Sequence, residues 1–482
     1  KMIYIALIAY VLFLFVISFR LGKYDGNADF FVGNRHSPWW AVALGMVGAS
    51  VSGVTLISVP GLVQHTQFTY MQMVLGFIPG YLFIAFVLLP IYYKHNLTSI
   101  YGFLTQRFGD VAGKTASFYF VVGKLLSSAV KYYIAIFVLH KMLFESIGVP
   151  FLVLAIFSLL IVWLYTYKSG IRTIVWTDFL QTIFLLVALI LLFVEVIRAY
   201  DQGFVAAVND VANSNLSTMF VFDDWMSKQN FFKQFLSGAF VVIVMTGLDQ
   251  DLMQKNLSCK TLEESRKNIL CGSILFVPLN LILLFLGALI VLFYTKNSVP
   301  IPIDGDALLS DFVVKNGRWV MMFFSIGIMA SAFSSMDSAM TSITTSFSMD
   351  LLGGKNITKA RRIIIHLSVA LLFLLLMWIV SLIKSEQALD MIYTLVSYLY
   401  GPLMGLFAFA MMTTKKVRPK AIPIASVLGP VLSYIIALLF KKSGYVMGYE
   451  LLLLNGFLVC LVLFIGSVKK KRSISDCGSE SF

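Results

Sequence analysis

An all-α, polytopic membrane protein with about 13 transmembrane helices is the fold class that this sequence predicts. Three observations carry that expectation. Apolar residues make up 59% of the 482 positions and charged residues only 13%, against about 25% charged in a soluble domain. The apolar residues gather in stretches near the roughly 20 residues that a helix needs to cross a bilayer. The Lys and Arg residues sit in short runs between those stretches, so the net charge of +13 reads as membrane topology and not as a nucleic-acid surface.

The predicted spans are 2–20, 40–62, 71–93, 114–143, 150–167, 174–199, 234–255, 267–295, 319–350, 362–384, 390–413, 421–440 and 448–468. With the N-terminus outside and the C-terminus cytoplasmic, 24 of the 37 Lys and Arg residues fall on the cytoplasmic side and 11 on the outer side. That is the bias the positive-inside rule requires. Dropping or adding one span would invert every later loop. Lys124 and Lys131 are the remaining two, and both lie inside the fourth span.

The first span lacks a basic leader and a small-residue cleavage site, so it reads as a retained helix, with Lys1 pointing to a trimmed start. In the second span, Gly45, Gly48, Ser50, Ser52, Gly53, Thr55, Ser58, Pro60 and Gly61 interrupt an apolar helix. Small residues serve close helix packing. Clustered with a proline they also suit a broken helix, whose freed carbonyls are good ligands for a hard cation. In the fourth span Lys131 sits near mid-membrane, where snorkelling is strained. It would counter an acid, Asp337 or Asp178, or receive an anionic substrate. Lys124, nearer the cytoplasm, could simply snorkel. In the sixth span Asp178 and Gln181 share a face, and Asp178 would pair with Arg172 or a lysine if it were only an interfacial acid.

The ninth span is the most polar. Ser334, Asp337, Ser338, Thr341 and Thr345 fall at i, i+3, i+4, i+7 and i+11, which is one helical face. Such a stripe in lipid should meet a bundle interior or a watered cavity. Serine and threonine also bond back to the preceding turn, but a lone carboxylate there demands a cation, a proton or a lysine. The outer loops at about 200–233 and 296–318 have room for short helices. The tail from Ser473 to Phe482 is polar and is expected to be disordered. Cys259, Cys271, Cys460 and Cys477 show no metal spacing or disulfide pattern. His36, His65, His95, His140 and His366 are scattered, which speaks against a membrane enzyme. No kinase or receiver sequence follows Arg472, which speaks against a membrane sensor.

Several stretches together resemble the sodium:solute symporter family. Asp29-Phe-Phe-Val-Gly-Asn-Arg35 is similar to that family's loop before the core. Thr98-Ser-Ile-Tyr-Gly-Phe-Leu-Thr-Gln-Arg-Phe-Gly109 resembles a second conserved stretch of it. Gly170-Ile-Arg-Thr-Ile-Val-Trp-Thr-Asp178 with Gln181, Asp249-Gln250 with Gln254-Lys255, and Ser334-Ser335 with Met349-Asp350 complete the set. The resemblance runs from about residue 4 to residue 412. Gly102 and Thr105 replace acids of the family pattern, Ser169 replaces a glycine, and Asp337 stands where a hydroxyl residue is common.

The resemblance implies a LeuT-type fold, an inverted repeat of five plus five helices. Residues 1–39 would hold an extra helix and a cytoplasmic loop. Residues 40–200 would form the first repeat, 201–413 an outer loop and the second repeat, 414–472 two further helices, and 473–482 the tail. The first helix of each repeat should be broken, and Thr246-Gly247 before Asp249-Gln250 suits the second break. It further implies sodium-coupled symport of a small organic solute by alternating access, with Na⁺ as the coupling ion and no catalytic residues. The sodium site would use the carbonyls of Gly48, Val51 and Ser331 with the hydroxyls of Ser334 and Ser335. A second cation site, present in some members, would use Asp178, Ser334, Asp337 and Ser338. Substrate would sit near Ser52, Thr55, Val74, Ala129, Lys131, Val242 and Met245. The stretch Ser52–Pro60 is closer to the sialic acid and monocarboxylate branch, which favours an organic anion; a sugar carrier or a proton-driven carrier of the same fold is the alternative. The chain would work as a monomer in a bacterial inner membrane.

Overall fold

The computed structural model describes residues 2–21, 30–31, 33–168, 170–354, 357–382 and 388–468. Asp29 and Val32 of the first resembling stretch, Ser169, Lys1 and the tail Ser473–Phe482 lie outside the described residues, as does the side chain of Arg172.

The described chain is helical apart from one two-stranded ribbon, Lys416–Val417 antiparallel to Ser467–Val468. Helix α1 (Met2–Leu21) precedes the broken pair α2 (Trp39–Ser50) and α3 (Gly53–Thr66). Helix α4 (Tyr70–Phe83) runs on through a π turn to Lys94. Then come α5 (Asp110–Leu139), α6 (Phe151–Thr166) and α7 (Ile171–Tyr200). A second broken pair follows, α8 (Phe231–Val242) and α9 (Gln250–Asn256). Next are α10 (Leu262–Lys296), α11 (Arg318–Ser346) and α12 (Lys359–Ser381). A third bent pair is α13 (Ala388–Leu399) with α14 (Gly401–Met412), before α15 (Ala421–Lys442) and α16 (Leu451–Ile465).

Eight single helices are long and apolar enough to cross a membrane, and the count reaches 11 when each bent pair is one span. Helices α6 and α16 are apolar but shorter. The loops expected to lie outside carry the short helices Gly203–Ala212 and Leu308–Lys315. Exposed apolar side chains line the outside of the bundle. On α12, Ile364, Leu371 and Trp378 are exposed while Arg362 and His366 are buried. In water that surface would be an aggregation liability, and in lipid it is the solvated face.

All three bends have local causes. The chain leaves the helix at Val51 (φ −84°, ψ 70°), passes through extended Ser52 and restarts at Gly53, bending by 50°. The second bend, 66°, follows a π turn at Ile243–Gly247. Asp249 restarts that helix by accepting the Asp251 amide at 2.9 Å, as an N-cap carboxylate does. The predicted span 234–255 is therefore two helices, in line with the expected break. The third bend, 45° at Tyr400, was not foreseen from sequence. Gly401-Pro402 opens the following helix, and proline at its start removes an amide that has no helical partner there.

Two groups of helices pack among themselves. Helices α2, α3, α4, α8 and α10 form one; α5, α6, α11 and α12 form the other; α7 lies against both α2 and α11. Glycines set the tightest contact of the first group. A Cβ on Gly76 would collide with the carbonyl of Phe235, and one on Gly238 with the carbonyl of Met73. Small residues let the backbones of α4 and α8 touch where lipid offers no hydrophobic drive. Gly238→Ala is expected to cost about 1–3 kcal/mol through overpacking, read as a lower melting temperature of the purified protein. An unchanged melting temperature would show that α4 and α8 can part freely.

Candidate functional site

The break between α2 and α3 lies against α11. Ser331 Oγ donates to the Val51 carbonyl at 3.3 Å, across the gap between the two elements. Breaking the helix frees carbonyls that a continuous helix would have paired. One turn further along α11, Ser334 Oγ donates to Asp178 Oδ1 of α7 at 2.5 Å. A hydroxyl that gives its proton away keeps its lone pairs, and lone pairs are what a cation takes. The Ser335 hydroxyl is buried with no hydrogen-bond partner among the described residues. An orphaned buried oxygen is costly, and a cation ligand is the chemistry that relieves it. On the other side of the break, Gly48 faces Thr182, whose side chain fills the space a Cβ would need. Thr182 bonds back to the Asp178 carbonyl at 2.7 Å. The sequence reading missed it, although it lies one turn beyond Asp178.

The predicted second set is also assembled. Ser338 Oγ lies 3.4 Å from Asp178 Oδ2 and 3.2 Å from Asp337 Oδ1, and Tyr165 OH donates to Asp337 Oδ2 at 2.8 Å. All five residues of the polar stripe on α11 are buried. Thr345 accepts from Gln254 Nε2 at 2.9 Å, so its role is structural.

Charge placement departs most from expectation. Lys255, counted from sequence among cytoplasmic loop charges, is 1% exposed. Its Nζ pairs with Asp178 Oδ2 at 2.6 Å and lies 3.9 Å from Asp251 Oδ1. Asp178 thus has its lysine, and it comes from α9. Lys124 does not snorkel. It pairs with Asp251 at 2.7 Å and Asp249 at 3.2 Å, and Tyr400 OH donates to Asp249 at 3.0 Å. Lys131 pairs with neither Asp337 nor Asp178; it has no ion pair or hydrogen bond among the described residues. Three buried carboxylates (Asp178, Asp249, Asp251) thus share two lysines (Lys124, Lys255), and a fourth, Asp337, has no ion pair among the described residues. That negative excess favours a bound monovalent cation.

A central cavity opens beside both breaks. Ala49, Ser50, Lys131, Val242, Met245 and Ser335 line it, together with Phe77, Tyr81 and Phe276. Of the predicted substrate residues, Lys131, Val242 and Met245 therefore face it. Ser52 and Thr55 sit at the break, 3.3 Å apart through their hydroxyls. Val74 and Ala129 are fully buried and do not line the cavity. A larger outer cleft bordered by Asp390, Tyr398, Tyr434 and Lys441 contains none of the predicted cation ligands.

A sequence profile of the sodium:solute symporter family matches residues 30–423, most of the chain. The chain belongs to the sodium:solute symporter family. It is accordingly a multi-pass, sodium-coupled secondary transporter of a small organic solute. Among relatives, the sodium/sialic acid symporter NanT of Aliivibrio fischeri is 24% identical over 84% of this chain and 81% of its own length. The sodium/sialic acid symporter SiaT of Proteus mirabilis is 21% identical over 84% and 83%. Human sodium-coupled monocarboxylate transporter 2 is 24% identical over 60% of this symporter and 48% of its own length. The solved outward-open, substrate-bound state of a Na⁺-coupled sialic acid symporter superposes with a TM-score of 0.84 at 18% identity, over 98% of this chain and 99% of that one. This symporter therefore has the LeuT-like fold.

Proposed function

We propose that this symporter carries a small organic anion, with the substrate carboxylate held at Lys131 and its body against Phe77, Tyr81, Val242, Met245 and Phe276. The observation that carries this reading is the contrast between two lysines that line the same cavity. Lys124 is already held by two carboxylates, whereas Lys131 faces the cavity without an acid of its own. A buried ammonium is costly until an anion meets it. The named relatives, transporters of sialic acids and of monocarboxylates, fit the same substrate class.

Sodium would bind between the α2–α3 break and α11, held by the carbonyls of Gly48, Val51 and Ser331 and the hydroxyls of Ser334 and Ser335. The ion then joins one helix group to the other, and a substrate resting on the same break favours the same conformation. Coupling follows from that shared preference. The reading includes a thirteen-span topology, in which the shorter apolar helices α6 and α16 also cross, the N-terminus is outside and the C-terminus is cytoplasmic. It also includes a repeat boundary near residue 200, so that each proposed repeat opens on a broken span. The working unit is the monomer.

Lys131→Ala is expected to lower carboxylate uptake about 10- to 100-fold, the loss of a charge-assisted hydrogen bond. The assay is uptake into proteoliposomes from a panel of sialic, monocarboxylic and amino acids and sugars under a sodium gradient. Full uptake of the preferred solute by Lys131→Ala, or a neutral sugar as that solute, would end the anion reading.

A further inference from the structure

We infer that Lys255 is a built-in cation that fills the second ion position, so that this symporter binds one sodium ion and not two. The inference rests on the sodium-coupled reading above and concerns how many ions that reading involves. Oxygens suited to a second sodium are gathered by Asp178, Ser334, Asp337 and Ser338. The carboxylate at their centre is already taken. Lys255 Nζ stands 2.6 Å from Asp178 Oδ2, the same oxygen that Ser338 approaches at 3.4 Å. A sodium ion entering this cluster would meet an ammonium at contact range in a medium that screens poorly.

The lysine is fixed by its helix and sits closest to Asp178, 2.6 Å against 3.9 Å to Asp251 Oδ1. It lies on α9, whose neighbours hold it in place: Gln254 donates to the Phe31 carbonyl at 2.5 Å and to Thr345 Oγ1 at 2.9 Å. Asp249 and Asp251 on the same element are engaged by Lys124. Turning Lys255 wholly toward Asp251 would leave Asp178, buried and charged, without its lysine. The arrangement also splits the labour at Asp178. One carboxylate oxygen accepts from Ser334, which orients that hydroxyl toward the first site. The other oxygen is ion-paired with the tethered ammonium.

Equilibrium binding of radioactive sodium to the purified full-length chain tests this without knowing the substrate. The wild type is expected to saturate at one sodium per chain with a Hill slope of one. Lys255→Met removes the ammonium and frees Asp178, so a second sodium should bind and the slope should rise toward two. Its melting temperature should then rise with added sodium more steeply than that of the wild type. The double variant Asp178→Asn with Lys255→Met should return to one sodium. Two ions bound by the wild type would overturn the inference, as would a folded Lys255→Met that still binds only one. If Lys255→Met does not fold, the wild-type count alone decides between one and two. No sodium binding by the wild type would instead refute sodium coupling itself.

Discussion

Asp178→Asn will be the most damaging single change in the membrane core. The carboxylate has three polar neighbours: Lys255 at 2.6 Å, Ser334 at 2.5 Å and Ser338 at 3.4 Å. The amide keeps the shape and removes the charge, leaving a buried ammonium without its closest counter-ion. Breaking one side of a buried ion pair costs about 3–5 kcal/mol. That is a large share of the roughly 5–15 kcal/mol that holds a typical soluble domain together. The expected result is a clear fall in melting temperature and loss of sodium-driven uptake. Adding Lys255→Met to Asp178→Asn removes the stranded charge and should recover most of the thermal loss. If Asp178→Asn melted like the wild type, the pair would carry no structural weight.

Ser335→Ala has the second largest expected effect, and it should fall on ion binding instead of folding. The Ser335 hydroxyl has no hydrogen-bond partner among the described residues, and it borders the cavity with Ala49 and Ser50. Removing it breaks nothing within the protein. It removes a sodium ligand, at about 1–3 kcal/mol of sodium affinity. The half-saturating sodium concentration should therefore rise roughly 5- to 150-fold while the sodium-free melting temperature stays near that of the wild type. Ser334→Ala should raise the same concentration but also lower the melting temperature, because Ser334 donates to Asp178. Equal sodium affinities in Ser335→Ala and the wild type would remove this hydroxyl from the site.

Much of this arrangement was legible in the sequence. Helix spans are long-range averages of hydropathy, and a twenty-residue average survives local error. The first break was legible because glycine, serine and proline crowd into one span. It fell at Val51-Ser52, between the glycines and not at Pro60, which sits within α3. The hydroxyl-and-carboxylate face of α11 was legible because a 3.6-residue period cannot hide in a polar stripe.

Pairings between distant helices were not legible. Lys255 lies next to a run of basic residues assigned from sequence to the cytoplasmic side, and a rule that counts charges by sequence position placed it with them. Only the bend at Leu248-Asp249 turns α9 inward and carries the lysine to α7. Lys124 hid for the same reason, since its two acids lie on α9 and at its cap. The third break was missed because Tyr400-Gly401-Pro402 is a weak signal inside an apolar stretch. The acid Asp178 was the one available clue: a buried carboxylate requires a partner, although composition does not say which.

In the proposed mechanism, sodium held between the α2–α3 break and α11 drives entry of an organic anion through the cavity that Lys131 lines. Uptake of labelled carboxylates into proteoliposomes, with external sodium exchanged for choline at fixed membrane potential and pH, tests it most directly. Accumulation above equilibrium is expected with sodium outside, and only passive equilibration in choline. Equal accumulation in choline would contradict it.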